Sequence, residues 1–347
     1  MHIKIFISVL AFIVTGLCQF SLEVIGQKAG FPVRFMFYNV ENLFDIYDDP
    51  LIEDDDFLPA GLMRWNSARY YDKINSIYKT ITAAGEWDPP AIVAFCEVEN
   101  RKVLEDLIRK TSLSGYDYDI IHEDSPDERG IDVCLIYRKN LVSVSGYRYL
   151  VPGGVEDFSS RSVLYSRLVI LSDTIHLFVN HWPSRRGGVL AGENLRHEIS
   201  EMVANASDSV NCRSRGLSKI IILGDFNCLP DDGAVDSVLR VRYHDGNNHC
   251  EGGLINLSRK AYHKGEGTYR YRGIWEMLDQ VIVSRRLIRC DEGLYTDENS
   301  LRIFRPDFLL KPDPSYPGMT TFSTYRGYRY QGGFSDHLPV LVDLHHH

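Results

Sequence analysis

Lys219-Ile220-Ile221-Ile222-Leu223-Gly224-Asp225-Phe226-Asn227 is the stretch on which the fold turns. Four consecutive apolar residues, three of them β-branched, read as a strand buried on both faces, which needs a second layer on each side. The run stops abruptly at Gly224, and Asp225 and Asn227 follow at once. Working outward, three other strand-like runs end in the same way. Phe35-Met36-Phe37-Tyr38 runs into Asn39, with Glu41 and Asn42 behind it. Ile92-Val93-Ala94-Phe95-Cys96 runs into Glu97, and Ile175-His176-Leu177-Phe178-Val179 into Asn180 and His181. Two further strands have their polar residues in front: Asp279 before Gln280-Val281-Ile282-Val283, and Ser335-Asp336-His337 before Leu338-Pro339-Val340-Leu341-Val342. If these two run antiparallel to the other four, all six polar clusters fall on one edge of the core. Asp and Asn favour strand ends for turn chemistry alone, but six clusters rich in Asp, Glu, Asn and His exceed what turns require.

The rest of the pattern is consistent with one α/β domain of mixed sheets over residues 27–347. Further strands are predicted at 131–137 and 163–170. A helix is predicted over 67–82, where Tyr70, Ile74, Ile77, Tyr78 and Ile81 recur at a spacing of three or four. Two more helices are expected at 101–110 and around 190–206. No Pro/Gly/Ser-rich linker interrupts the chain. His345-His346-His347 is read as a tail after the last strand.

With 347 residues, 44% hydrophobic and 24% charged, the composition excludes disorder, collagen and a disulfide-dense miniprotein. Its 38 Lys+Arg against 47 Asp+Glu give a net charge of −9. That balance argues against coating a polyanion by charge alone and leaves open a phosphate met at one site with a metal. Lys4 precedes an apolar run from Ile5 to Leu17, too short to span a bilayer, which takes roughly 20 residues. Residues 1–26 therefore read as an export signal cut after Val24-Ile25-Gly26, with a lipid anchor at Cys18 as the alternative. The expected location is periplasmic or secreted. Of the six cysteines beyond the signal, Cys96 and Cys134 sit in apolar runs, so free buried thiols compete with disulfides. Asp48, Asp49, Glu53, Asp54, Asp55 and Asp56 read as a solvated loop; a calcium site is the sharper alternative, but the spacing does not fit an EF-hand.

The six clusters supply carboxylates Glu97, Asp225, Asp279 and Asp336, asparagines Asn39 and Asn227, and histidines His181 and His337. Hard oxygen donors with few nitrogens suit Mg²⁺ or Mn²⁺ better than zinc. A His paired with a buried Asp, here His337 with Asp279, is oriented to act as a base or to bind phosphate. No nucleophile elbow, P-loop or dinucleotide turn is present.

These residues resemble the endonuclease/exonuclease/phosphatase family. Gly224-Asp225-Phe226-Asn227 and Ser335-Asp336-His337 carry the resemblance most specifically. Tyr38-Asn39-Val40-Glu41-Asn42, Cys96-Glu97-Val98 and Leu278-Asp279-Gln280 add to it in the family's order. It spans about Arg34 to Leu344 and implies a four-layer sandwich, two packed mixed β-sheets flanked by helices, with Mg²⁺-dependent hydrolysis of phosphate esters. It assigns Glu97 as principal metal ligand with Asn39 near it, and Asp336 as a further metal or positioning carboxylate. Asp225 and Asn227 correspond to the pair that activates water and holds phosphate, and His337 to the active-site His supported by Asp279. His181 matches the deoxyribonuclease-like branch, where AP endonucleases tend to carry Asn. Two stretches, from His122 to Asp132 and from Asn180 to Gly188, resemble bacterial members. Arg129, Arg185, Arg186 and Arg196 are candidate phosphate or substrate contacts, since guanidinium binds phosphate oxygens bidentately; His122 is a further candidate.

The leading expectation is a nuclease-like phosphodiesterase acting by water attack on phosphorus. The alternatives are a phosphomonoesterase, a lipid-headgroup or inositol-phosphate phosphoesterase, and a non-catalytic binding protein. The expected partner is a phosphate ester, with nucleic acid open. No stable protein partner is inferred and a monomer is expected.

Overall fold

The computed structural model describes residues 32–153, 158–185, 192–241, 253–288 and 292–347. The export signal expected over 1–26, together with Arg186, Cys250 and Cys290, lies outside them. Apolar runs become strands and the 3.6-period stretches become helices, in the order β1 (Val33–Leu43), α1 (Ser67–Gly85), β2 (Ile92–Val98), α2 (Arg101–Arg109), β3 (Tyr118–Ile121), β4 (Asp132–Arg138), β5 (Ser143–Leu150), β6 (Val163–Ile170), β7 (Asp173–His181), α3 (Glu193–Arg213), β8 (Lys219–Asp225), β9 (Leu254–Asn256), β10 (Asp279–Ser284) and β11 (Val340–His346). Two short hairpins lie between β10 and β11, Leu310–Pro312 with Met319–Thr321 and Tyr325–Arg326 with Arg329–Tyr330, and another, Tyr269–Tyr271 with Ile274–Glu276, lies just before β10. Asn66 and Asn100 begin α1 and α2, each side chain accepting the N–H three residues on, at 3.2 and 3.1 Å.

Two sheets result. One has the order β11-β1-β2-β4-β3, extended beyond β11 by Leu294–Tyr295 and Arg302–Ile303; the other runs β5-β6-β7-β8-β10-β9. Strand alternation sorts the side chains into layers. Phe35 and Phe37 of β1 meet Leu177 and Val179 of β7 and Leu223 of β8 between the sheets. Met36 and Tyr38 point the other way, onto Ile74, Ile77 and Ile81 of α1 and Leu107 of α2. Phe178 and Ile222 similarly meet Ile199 and Val203 of α3. The fold is thus helix, sheet, sheet, helix.

What matters for chemistry is direction. β1 pairs parallel with β2, and β7 parallel with β8. β10 runs antiparallel to β8, and β11 antiparallel to β1. The carboxyl ends of four strands and the amino ends of two therefore share one edge. Register finishes the alignment: His181 lies opposite Asp225, and Asp225 opposite Asp279.

Several details differ from the sequence reading. β3 and β5 were not anticipated, because both are at sheet edges and β5 is exposed or half-exposed throughout. α3 continues to Arg213, beyond the expected end at 206. The terminal histidines are not all tail: His345 and His346 belong to β11, where they pair with Tyr295 and Leu294. Cys96, Cys134 and Cys228 are buried free thiols, and Cys212 is an exposed one.

Candidate active site

The two parallel strands of the first sheet both become irregular where they reach the shared edge. β1 shifts register between Asn39 and Leu43, and β2 shifts against β4 between Cys96 and Val98. Glu41, Asn42 and Glu97 there adopt left-handed backbone conformations, with φ of 53°, 57° and 63°. Such bulges re-aim side chains at a cost in local strain, and they gather at functional edges. Glu97 is turned so that its Oε2 accepts Asn42 N–H at 3.0 Å and its Oε1 accepts the Asn39 amide at 3.2 Å.

The second sheet brings its own acid to the same amide. Asn39 Nδ2 also donates to Asp225 Oδ2 at 3.1 Å, so one asparagine joins carboxylates from two sheets. Asn39 Oδ1 is taken by Glu41 N–H, which leaves the amide nitrogen facing inward. Gly224, with φ of 151°, is required just before Asp225, since a Cβ there would lie 2.1 Å from the Asn180 carbonyl oxygen. Asp225 Oδ1 accepts Asn227 N–H at 2.9 Å, and Asn227 Nδ2 donates to Trp182 O at 3.0 Å.

Two imidazoles close the cluster. His181 Nε2 stands 3.9 Å from both Glu97 Oε1 and Asp225 Oδ2. Burial, with Arg161, Arg129 and His337 nearby, pushes His181 well below the usual imidazole range and keeps it neutral. His337 is the opposite case. Its Nδ1 bonds Asp279 Oδ2 at 2.7 Å and its Nε2 lies 3.8 Å from Asp225 Oδ2. Although burial opposes the charge, Asp279 and Asp225 outweigh it and hold His337 protonated, well above its usual range. Burial raises the Asp225 carboxyl, with Asp279 adding to the rise and His337 restraining it. The Tyr269 ring packs on His337 at 4.8 Å, and Ser335 Oγ ties the last turn to Asn39 O at 2.7 Å. Asp336 is half-buried beside it.

The candidate arginines are placed differently. Arg129 is partly exposed near Asp127. Arg185 donates to Asn227 O at 2.9 Å and to Asp232 at 2.8 Å, bracing the Asn227 loop. Arg196 is buried on α3 and donates to Pro183 O at 3.2 Å, just past His181. His122 is buried 3.2 Å from Asp132. One arginine escaped the sequence reading: Arg161, buried before β6, donates to Asp127 and to Trp182 O, both at 3.0 Å. It shares that carbonyl with Asn227. The signal was there, a polar residue ahead of an antiparallel strand, the same pattern that singled out Asp279. Lys73 was missed too; it reaches from α1 to Phe334 O at 2.6 Å, and burial lowers its ammonium while Glu41 supports the charge.

A hard divalent cation fits this donor set. The acids converge, and Asp279 Oδ1 and His181 Nδ1 are buried without a hydrogen-bond partner. Cys96, His181 and Asp225, and again Asp225, Asp279 and His337, place donor atoms within 4.8 Å of one another; Cys96 is held as a buried thiol and His337 keeps its proton, which leaves the oxygens of Asp225 and Asp279 as the hard donors of these two groups.

The family model described as the endonuclease/exonuclease/phosphatase family matches residues 34–346. The chain belongs to the endonuclease/exonuclease/phosphatase family. Members of this family are divalent-metal-dependent phosphoesterases. No curated protein matches the sequence. Among solved structures, a Bacteroides thetaiotaomicron mannosyl-6-phosphatase is 16% identical with a TM-score of 0.54, covering 90% of this chain and 99% of its own. The human Nocturnin catalytic domain with bound sulfate is 15% identical with a TM-score of 0.52, covering 91% and 95%. D. rerio TDP2 complexed with a single-strand DNA product is 13% identical with a TM-score of 0.53, covering 90% and 98%. At these identities the endonuclease/exonuclease/phosphatase likeness is one of fold.

Proposed function

We propose that this chain hydrolyses phosphodiesters in the manner of a nuclease, with Mg²⁺ or Mn²⁺, by attack of water on phosphorus. The observation that carries the reading is the Asn39 amide joining Glu97 to Asp225 beside a charged His337. Glu97 would hold the cation, with Asp336 as a second carboxylate and Asn39 fixing the Glu97 orientation through its nitrogen. The bound cation would polarise the phosphoryl group and offset charge on its oxygens. Asp225 accepts the proton of the attacking water, being an anion flanked by the Asn39 amide and His337. His337, its Nδ1–H fixed on Asp279, turns Nε2–H toward a phosphate oxygen and supplies positive charge where negative charge develops. His181 is neutral and hydrogen-bonds a second oxygen without adding repulsion to His337. Asn227 holds the phosphate beside Asp225, its own amide anchored on Trp182 O.

Release of p-nitrophenol from bis(p-nitrophenyl) phosphate tests the chemistry. EDTA and His337→Ala should each abolish it, and full activity in either sinks the reading. A parallel panel of DNA, RNA, sphingomyelin, inositol phosphates and p-nitrophenyl phosphate separates the diesterase from its monoesterase and lipid-headgroup alternatives. The export pattern at residues 1–26 supports an activity outside the cytoplasm. Recovery of the full-length chain, uncut, in the cytoplasmic fraction would refute that location.

A further inference from the structure

The turn from β3 to β4 gathers a second set of donors, away from the catalytic cluster. β4 runs antiparallel to both β2 and β3, with Asp132 opposite Val98. His122, just past the end of β3, therefore meets Asp132 at the start of β4. The His122 and Asp132 side chains are 3% and 2% exposed, and that of Asp124, between them in sequence, is 88% exposed. One donor atom from each of these three residues lies within 4.8 Å of the other two.

The buried pair is not joined by an ordinary hydrogen bond. His122 Nε2 stands 3.2 Å from Asp132 Oδ2, but the contact lacks hydrogen-bond alignment, and Nε2 is buried without a partner. Ser125 Oγ, in the same turn, is buried without a partner as well. Asp132 is fixed from its other side, where Oδ1 accepts Ser125 N–H at 2.8 Å, so Oδ2 is the oxygen left for a ligand. Buried polar atoms that have lost water and gained nothing destabilise a fold, so two in one turn need a reason. A shared ion is one. Two donors each about 2.0–2.1 Å from a tetrahedral ion sit about 3.3 Å apart, and both aim at the ion instead of at each other. The His122–Asp132 contact has that spacing and that misalignment.

We propose that His122, Asp124 and Asp132 form a zinc site distinct from the catalytic cluster. Nε2 and Asp132 Oδ2 are its fixed ligands. Asp124, whose Oδ1 is 4.0 Å from His122 Nδ1, closes it from the solvent side by rotating its side chain. A water held by Ser125 Oγ takes the fourth position. One imidazole with two carboxylates suits zinc, whereas calcium takes six to eight oxygens and magnesium an octahedron of oxygens. The ion would pin the turn that carries Asp127. From there Asp127 holds Arg161, and Arg161 holds the Trp182 carbonyl that also receives the Asn227 amide. The site would thus stiffen one wall of the active site from outside it.

Thermal unfolding of the whole chain, stripped with chelator and returned to constant Mg²⁺, tests the site without reference to turnover. Zn²⁺ in about hundredfold excess over its Kd should raise the wild-type Tm by about 5 °C. Co²⁺ in its place should give the strong visible absorption of a four-coordinate ion. His122→Gln and Asp132→Asn should lose both signals. Asp124→Asn changes an exposed side chain and leaves the fold intact, and it should weaken zinc binding at least tenfold. Glu97→Gln should keep both signals. A wild-type Tm that zinc does not move overturns the proposal, as does zinc affinity unchanged in Asp124→Asn or in Asp132→Asn. An equal increment from Ca²⁺ overturns the assignment to zinc. Loss of both signals in Glu97→Gln overturns it by placing the ion in the catalytic cluster.

Discussion

Glu97 and Glu99 stand two residues apart at the end of one strand, and the chain surrounds their carboxylates in opposite ways. Glu97 faces the edge where both sheets deliver their polar ends, and finds an Asn amide, a backbone N–H and two imidazoles within 4 Å of its cluster. Glu99 faces the acidic loop and finds an N–H and more carboxylates. In the first cluster the buried negative charge is balanced from within the protein, chiefly by His337. In the second no cation arrives, and Glu99 keeps its proton instead. Burial alone therefore does not mark a catalytic acid; what distinguishes the two is whether cationic and neutral donors arrive from independent strands.

The contrast can be broken most forcefully at its positive pole. His337→Ala should lower kcat on bis(p-nitrophenyl) phosphate by about 10³-fold or more, the upper part of what a positioned acid–base group contributes, and should lower Tm as well, because Asp279 is left buried without its cation. Asp279→Asn should be milder, about 10²-fold in kcat. Here NMR titration should show the His337 imidazole falling toward its ordinary range. The sign of the linked stability follows: a His raised in the folded state contributes in full below its unfolded value near 6.5 and ceases to contribute as pH rises through the folded value. The stability deficit of Asp279→Asn, measured by urea unfolding, should thus be greatest in acid and shrink in base.

Glu99 should show the reverse dependence. Its carboxyl is raised from 4.5 to about 8, so as pH rises the unfolded state loses a proton that the folded state keeps. Stability should fall as pH rises from about 4.5 to about 8, by a few kcal/mol, and Glu99→Gln should flatten that slope. A slope unchanged in the variant would mean the two clusters do not differ as described. The smallest effect is expected from Asn100→Ala, which removes the α2 cap and the Asp45 contact. It should cost about 1 kcal/mol in urea unfolding, with kcat on the model diester unchanged.

Much of the catalytic cluster was legible because it obeys a local rule. Polar residues stand where apolar runs stop or start, and the stops at Glu97, His181 and Asp225 and the starts at Asp279 and His337 all follow it. Arg161 obeys the same rule but sits between serines, without the acid or His that draws the eye. The burial of Asp45, Asp54 and Glu99 was not legible. The acids at 48–56 read as solvated because nothing in their spacing says that Asp54 is covered while Asp55 and Asp56 are exposed. The edge strand β5 was missed for a related reason: its residues are exposed or half-exposed along its whole length, and it lacks the continuous apolar signal of a central strand.

The amino-acid order by itself determined the elements, their buried faces and the residue types delivered to one edge, because strand and helix periods are local properties of the chain. It also determined the family, through Gly224-Asp225-Phe226-Asn227 and Ser335-Asp336-His337. Only tertiary structure decided that one Asn39 amide serves two sheets, that His337 is charged while His181 is neutral, and that Glu99 is left among acids. Those outcomes depend on distances between segments far apart in sequence and on how much water each carboxylate and imidazole loses, and neither quantity is encoded within a single strand.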